Sequence, residues 1–138
     1  MTRAELIAEA RRWIGTPFHH QGRARGAGAD CIGLLAGAAE ACGYGPIDLP
    51  ANYPATPVPV TLFGWLDGSG VVDAVPLDDA LPGDLLLFQI AGQPTHFGLL
   101  TDAGWIHADN SYGVVEVPLD AKWRARRLAA YRIRGIAP

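Results

Sequence analysis

The chain has 138 residues, of which 49% are hydrophobic and 18% charged, and its formal net charge is −3. That length suits one domain, which buries roughly two-thirds of its unfolded surface and folds without help from a metal or disulfide. The composition excludes wholesale disorder, and the charge offers no bulk attraction for nucleic acid. Seventeen glycines and 11 prolines argue against a long helical bundle, because together they far exceed the usual share of about 12%.

Thr2-Arg3-Ala4-Glu5 has the form of a capping box, and Leu6, Ile7, Ala10, Trp13 and Ile14 then recur at helical spacing. The same stretch carries Glu5, Glu9, Arg11 and Arg12 where an export signal would need an apolar core. No run approaches the ~18 apolar residues of a membrane span. The expectation is a product made in the cytoplasm without a signal peptide and without a membrane span. Gly15 and Pro17 end the first helix, and residues 15–30 form a glycine-rich loop. A second helix is expected from Asp30 or Cys31 to Cys42, ended by Gly43, Gly45 and Pro46. Residues 44–60 hold five prolines and read as an ordered surface crossing. Thr61–Leu66 is a candidate short helix.

From residue 81 the period becomes two. Strands are expected over Leu85–Gln89, Thr95–Thr101, Trp105–Ala108, Val114–Val117 and Ala129–Ile133, with a turn at Ala91–Pro94 and a tight loop at Asp102-Ala103. Helices first and an antiparallel meander afterwards make an α+β layout, as a single domain over 1–138.

Cys31 and Cys42 are the only cysteines. On one helix they lie about 16 Å apart, well beyond the ~7 Å limit for a disulfide, so two free thiols are expected. Cys42 sits near the helix C-terminus and reads as core. Cys31 opens the helix behind Asp30, a suitable cap. There the helix dipole and unpaired N–H groups favour a thiolate, the nucleophilic form. A depressed thiol pKa is therefore expected, with iodoacetamide labelling Cys31 before Cys42. The competing reading is a small buried hydrophobe.

A nucleophilic cysteine needs a base, most often a histidine oriented by a third group. His96 and His107 flank the Asp102-Ala103 loop. With a two-residue loop, His107 opposes Gly98 and His96 opposes Asp109, which puts both imidazoles on one face as diagonal neighbours. His96 would take the thiol proton and His107 would fix its tautomer. The competing reading is two polar residues on a half-exposed sheet. No serine sits in a nucleophile-elbow motif, no phosphate loop is present, and no Cys or His spacing supports a metal site. No metal or cofactor is expected. The basic run of Lys122, Arg124, Arg126, Arg127, Arg132 and Arg134 reads as a solvated face, or as a docking surface for an acidic partner.

Trp13-Ile14-Gly15-Thr16-Pro17-Phe18 and Gly28-Ala29-Asp30-Cys31-Ile32-Gly33-Leu34, followed in order by Pro82-Gly83-Asp84-Leu85, Thr95-His96-Phe97-Gly98 and Trp105-Ile106-His107-Ala108, resemble the NlpC-type cell-wall cysteine peptidases. The resemblance implies a papain-like core whose nucleophile helix packs on an antiparallel sheet carrying the base. It implies Cys31 as nucleophile, His96 as general base and then acid, and His107 as its orienting partner. The implied reaction is hydrolysis of an amide, usually γ-D-glutamyl–diaminopimelate, in peptidoglycan stem peptides. Asp30, Phe18, His19 and His20 are the expected supporting or substrate-binding residues. His20-Gln21-Gly22 is most similar to small peptidases of phage tails and gene-transfer agents, which implies a virion setting and a tail-hub or tail-fibre partner. Phe18 stands where many relatives have a tyrosine, and Ile32 where many have a serine. These departures and the basic run keep open a tail-tip structural subunit with little activity, and the resemblance also leaves open an acyltransferase on the same Cys–His core.

Overall fold

The computed structural model describes residues 1–48, 66–90 and 93–138. Helix α1 (Arg3–Arg12) starts on Thr2, whose side chain accepts from the Glu5 N–H while the Glu5 carboxylate accepts from the Thr2 N–H. The capping box forms as expected and satisfies two orphan donors at once. The loop after it contains a small hairpin, β1 (Arg23–Ala24) with β2 (Gly28–Ala29), that periodicity did not reveal. Helix α2 (Cys31–Ala41) follows with Asp30 as its N-cap. The expected crossing at 44–60 falls mostly, and the expected helix at Thr61–Leu66 almost wholly, outside the described residues.

The remaining elements are β3 (Val72–Val75), a 3-10 turn (Leu77–Asp79), β4 (Leu85–Ile90), β5 (Gln93–Leu100), β6 (Trp105–Asp109), β7 (Gly113–Val117), α3 (Ala121–Ala125) and β8 (Arg127–Ile133). Five strands were expected nearly in place. Strand β3, the 3-10 turn and α3 were not, because segments of three to five residues are too short to display a period. The sheet order is β3-β8-β4-β5-β6-β7. Strands β4 to β7 form the meander, and β8 returns to lie between β3 and β4, each pairing antiparallel. This is an α+β fold.

The central strands of the sheet are covered on both faces, and their alternation sorts the residues. Leu85, Leu87, Phe97, Leu99, Ile106 and Ala108 join the main core under α1 and α2. Leu86, Phe88 and Trp105 point the other way, into a second cluster covered by Leu77, Leu119 and Trp123. One charged group is wholly enclosed. Asp84, 0% exposed, accepts from Arg3 and twice from Arg132, and its Oδ2 also accepts from the Leu81 N–H. Burial alone would raise its pKa, but these donors outweigh burial and hold the carboxyl below its usual value. Arg134 likewise pairs with Asp73. One member of the basic run, Arg132, is therefore committed to a buried carboxylate, while the Arg134 pair stays at the surface.

Candidate active site

The approach to Cys31 is built by the loop before it. Asp30 uses both carboxylate oxygens, Oδ1 accepting from the Gly33 N–H and Oδ2 from the Gln21 N–H, each at 2.8 Å. The cap of α2 thus also holds the loop, at a residue with φ of +61°. The fit requires Gly33, because a Cβ there would lie 1.8 Å from the Gly22 carbonyl oxygen. Phe18 bridges to Ala29 and packs, half-buried, on the main core. His19 is exposed, with Nδ1 at 2.9 Å from the His20 carbonyl oxygen, and His20 is half-buried.

Cys31 is 8% exposed. The N–H groups of Phe97, Ile32 and Cys31 itself favour its thiolate, as a helix start should. Burial is the larger effect, the Asp30 carboxylate adds to it, and the thiol is pushed up to about 12. This direction runs against the expected depression: the helix end is enclosed, and burial works against the dipole. Cys42 is not core either. It is the half-buried C-cap of α2, and its thiol donates to the Glu5 carbonyl oxygen at 3.5 Å. Both thiols are free.

The contact at Phe97 locates Cys31 on the sheet. The Leu100 N–H donates to the Asp84 oxygen on the β4 side, so by antiparallel alternation the Phe97 N–H points toward β6. The β5–β6 ladder pairs Leu99 with Ile106 and Leu100 with Trp105, and the Cys31 sulfur lies where the Phe97 N–H leaves that edge. His96 is the next residue along β5.

The register is the expected one, and it brings the two histidines together. His96 Nε2 lies 2.7 Å from His107 Nδ1, with the rings near perpendicular at 87°. Gly98 permits this approach, since a Cβ there would stand 2.4 Å from the Ile106 carbonyl oxygen and 3.0 Å from the His107 Cβ. Both imidazoles project to the face carrying Trp105, away from the bodies of α1 and α2. His107 stacks on Trp105 at 3.9 Å between centroids, and Trp123 stands 6.0 Å away. Burial lowers the pKa of His96 to about 4. Burial and the proximity of His96 lower that of His107 to about 3. Both are therefore neutral at pH 7. Asp109 acts in the opposite sense on both rings. The sequence register sets Asp109 opposite His96, but nothing in the sequence singles out its charge or the Trp105 ring.

A family model described as the NlpC/P60 family matches residues 15–132. Among solved structures, the chain is similar to the NlpC/p60 domain of the peptidoglycan hydrolase SagA. Identity there is 24%, covering 96% of this chain and 100% of that one, with a TM-score of 0.64. An NlpC/P60 family protein from Bacillus cereus gives 23% identity over 96% of this chain and 40% of that one, with a TM-score of 0.68. The peptidoglycan hydrolase RipB from Mycobacterium tuberculosis gives 19% identity over 99% and 65%, with a TM-score of 0.64. The chain thus spans less than two-thirds of the latter two. No curated protein matches. At these identities the structural likeness is one of fold.

Proposed function

The chain belongs to the NlpC/P60 family, and from that premise we propose that it is a cysteine peptidase hydrolysing an amide bond in peptidoglycan stem peptides. The observation that carries this reading is the 2.7 Å contact between His96 and His107, beside a cysteine that meets the same strand at Phe97. With His96 Nε2–H donating to His107 Nδ1, the Nδ1 of His96 is left as an acceptor for the thiol proton. Neutral thiol and neutral imidazole are the resting pair. As the sulfur attacks the carbonyl carbon, its proton passes to His96 Nδ1. His96 then returns that proton to the leaving nitrogen as the C–N bond breaks, and water hydrolyses the acyl-enzyme by the same base. Phe18 offers no hydroxyl, so the developing oxyanion relies on N–H groups at the start of α2.

The names of the similar structures support peptidoglycan as substrate. The resemblance around Cys31 supports γ-D-glutamyl–diaminopimelate as the bond, and His20-Gln21-Gly22 supports delivery on a phage-like tail with a hub or fibre partner. Among the described residues no helix is long and apolar enough to cross a membrane. The test is digestion of purified peptidoglycan by wild type and Cys31→Ala, with fragments identified by mass. Wild type releases fragments ending at the cleaved amide and the variant releases none; equal release by the two removes Cys31 as nucleophile.

A further inference from the structure

A general base in an aromatic setting is helped by a nearby negative charge as it takes up a proton, and His107 supplies none. It is neutral, 4% exposed and stacked on Trp105. The other charges around the pair are unhelpful. Lys122 and Arg126 lie over Trp123, at 5.9 and 5.4 Å from its ring centroid, and Trp123 in turn faces His107. These cations oppose a second positive charge. From α2, Asp30 acts on Cys31 and is committed to the Gly33 and Gln21 N–H groups. Phe88 from β4, opposite His96 in the register, is apolar.

Asp109 is different. It is the last residue of β6, two positions beyond His107 and so on the same face. The β5–β6 ladder ends at Leu99–Ile106, and carrying its register further along both strands sets Asp109 opposite His96. Its Oδ1 accepts from the N–H groups of Ser111 and Tyr112 at 2.8 and 2.9 Å, which pins the carboxylate to the tip of the β6–β7 hairpin. We propose that Asp109 is a positioning residue for the His96–His107 pair, a fixed negative charge against which His96 takes up the proton of Cys31. The inference rests on the peptidase reading, and it adds to the cysteine and two histidines a fourth group that acts through His96 without touching the reacting atoms. In the reaction no proton reaches Asp109. The charge stabilises the imidazolium while the sulfur–carbon bond forms, and that help ends when the proton leaves with the amine.

The test uses Asp109→Asn in the full chain, because asparagine keeps an acceptor for both N–H groups and removes only the charge. Histidine NMR titration is followed in wild type and variant, together with the pH profile of kcat/KM on peptidoglycan fragments. The His96 titration is expected to move to lower pH by about half a unit or more, the direction set by removing a nearby anion. In an active enzyme the acidic limb moves down with it, plateau kcat falls about threefold or more, and KM holds. Asp109→Ala, which also breaks the hairpin bonds, shows what a purely structural loss looks like: a lower melting temperature. If His96 titrates alike in wild type and Asp109→Asn, or if it shifts while the activity profile stays, Asp109 only shapes the hairpin and the proposal is overturned. A wild type that cleaves nothing removes the peptidase reading, and the NMR arm still decides whether Asp109 acts on His96.

Discussion

Asp84 precedes one end of β4 and His96 pairs with Phe88 near the other, and the two ends handle polarity in opposite ways. At Asp84 a fully buried carboxylate meets two arginines and a backbone N–H, so every lone pair is answered and the group stays ionised. At His96 a half-buried and a buried imidazole lie against Trp105, with Trp123 beside His107 and one carboxylate bearing on them. There the solvent penalty is left standing, and both rings are held neutral. Compensation produces a fastening, whereas withheld compensation leaves groups whose protonation can change during a reaction.

That contrast breaks if the two ends fail to separate under substitution. His96→Ala is expected to lower kcat by about 10³-fold or more, the scale of losing a positioned base, and to leave the denaturation midpoint close to wild type. Asp84→Asn is expected to do the reverse. It strands Arg3 and Arg132 and costs about 2–4 kcal/mol, less than a sealed pair would because Arg132 is 34% exposed. Urea denaturation and steady-state kinetics on both variants check this. Loss of activity in Asp84→Asn at temperatures where it remains folded would merge the two regions.

The pH dependence of stability sharpens the same comparison. The folded pKa values of His96 and His107, about 4 and about 3, lie below the unfolded value of about 6.5. Below pH 6.5 the unfolded chain binds protons that the folded chain refuses, so stability falls as pH drops toward 4 and then 3. The loss from the pair is on the order of 3 kcal/mol or more by pH 4. Replacing His107 by Gln removes one of these groups and flattens the acid limb, as chemical denaturation between pH 7 and 4 would record. An unchanged slope would mean the imidazoles are solvated in the folded state.

The site was legible in the sequence wherever local rules decide position. Thr2-x-x-Glu5 capped α1, Asp30 capped α2, and a two-residue loop at Asp102-Ala103 set the parity that puts His96 and His107 on one face. Enclosure was not legible, because it depends on parts that meet only in the fold. The sequence around Cys31 shows a helix start, and nothing in it shows Leu6, Leu85 and Phe97 closing over the same space. Trp123 is 16 residues beyond His107 on a helix of five residues, too short to foresee, so the aromatic wall beside the two histidines was invisible. Arg132 was read with its charged neighbours and belonged instead to Asp84.

The two cysteines provide the smallest and most pointed test. The helix start at Cys31 and a facing His96 favour early labelling of Cys31, through a thiolate stabilised by the helix dipole, by backbone N–H groups and by imidazolium. The fold predicts another order. Cys31 is 8% exposed and its thiol is pushed up to about 12, while His96, at about 4, carries no charge at neutral pH. Cys42 is also raised, by burial and by Glu9 and Glu5, but it is far less enclosed. Iodoacetamide at pH 8 on the folded, substrate-free protein should therefore modify Cys42 first, with Cys31 lagging severalfold, as peptide mass mapping would show. His96→Ala should leave the Cys31 rate nearly unchanged, because no imidazolium is present to lose. In urea the two thiols should react alike. Early labelling of Cys31 that slows in His96→Ala would instead demonstrate a resting thiolate–imidazolium pair, and burial would have lost to the dipole at this helix end.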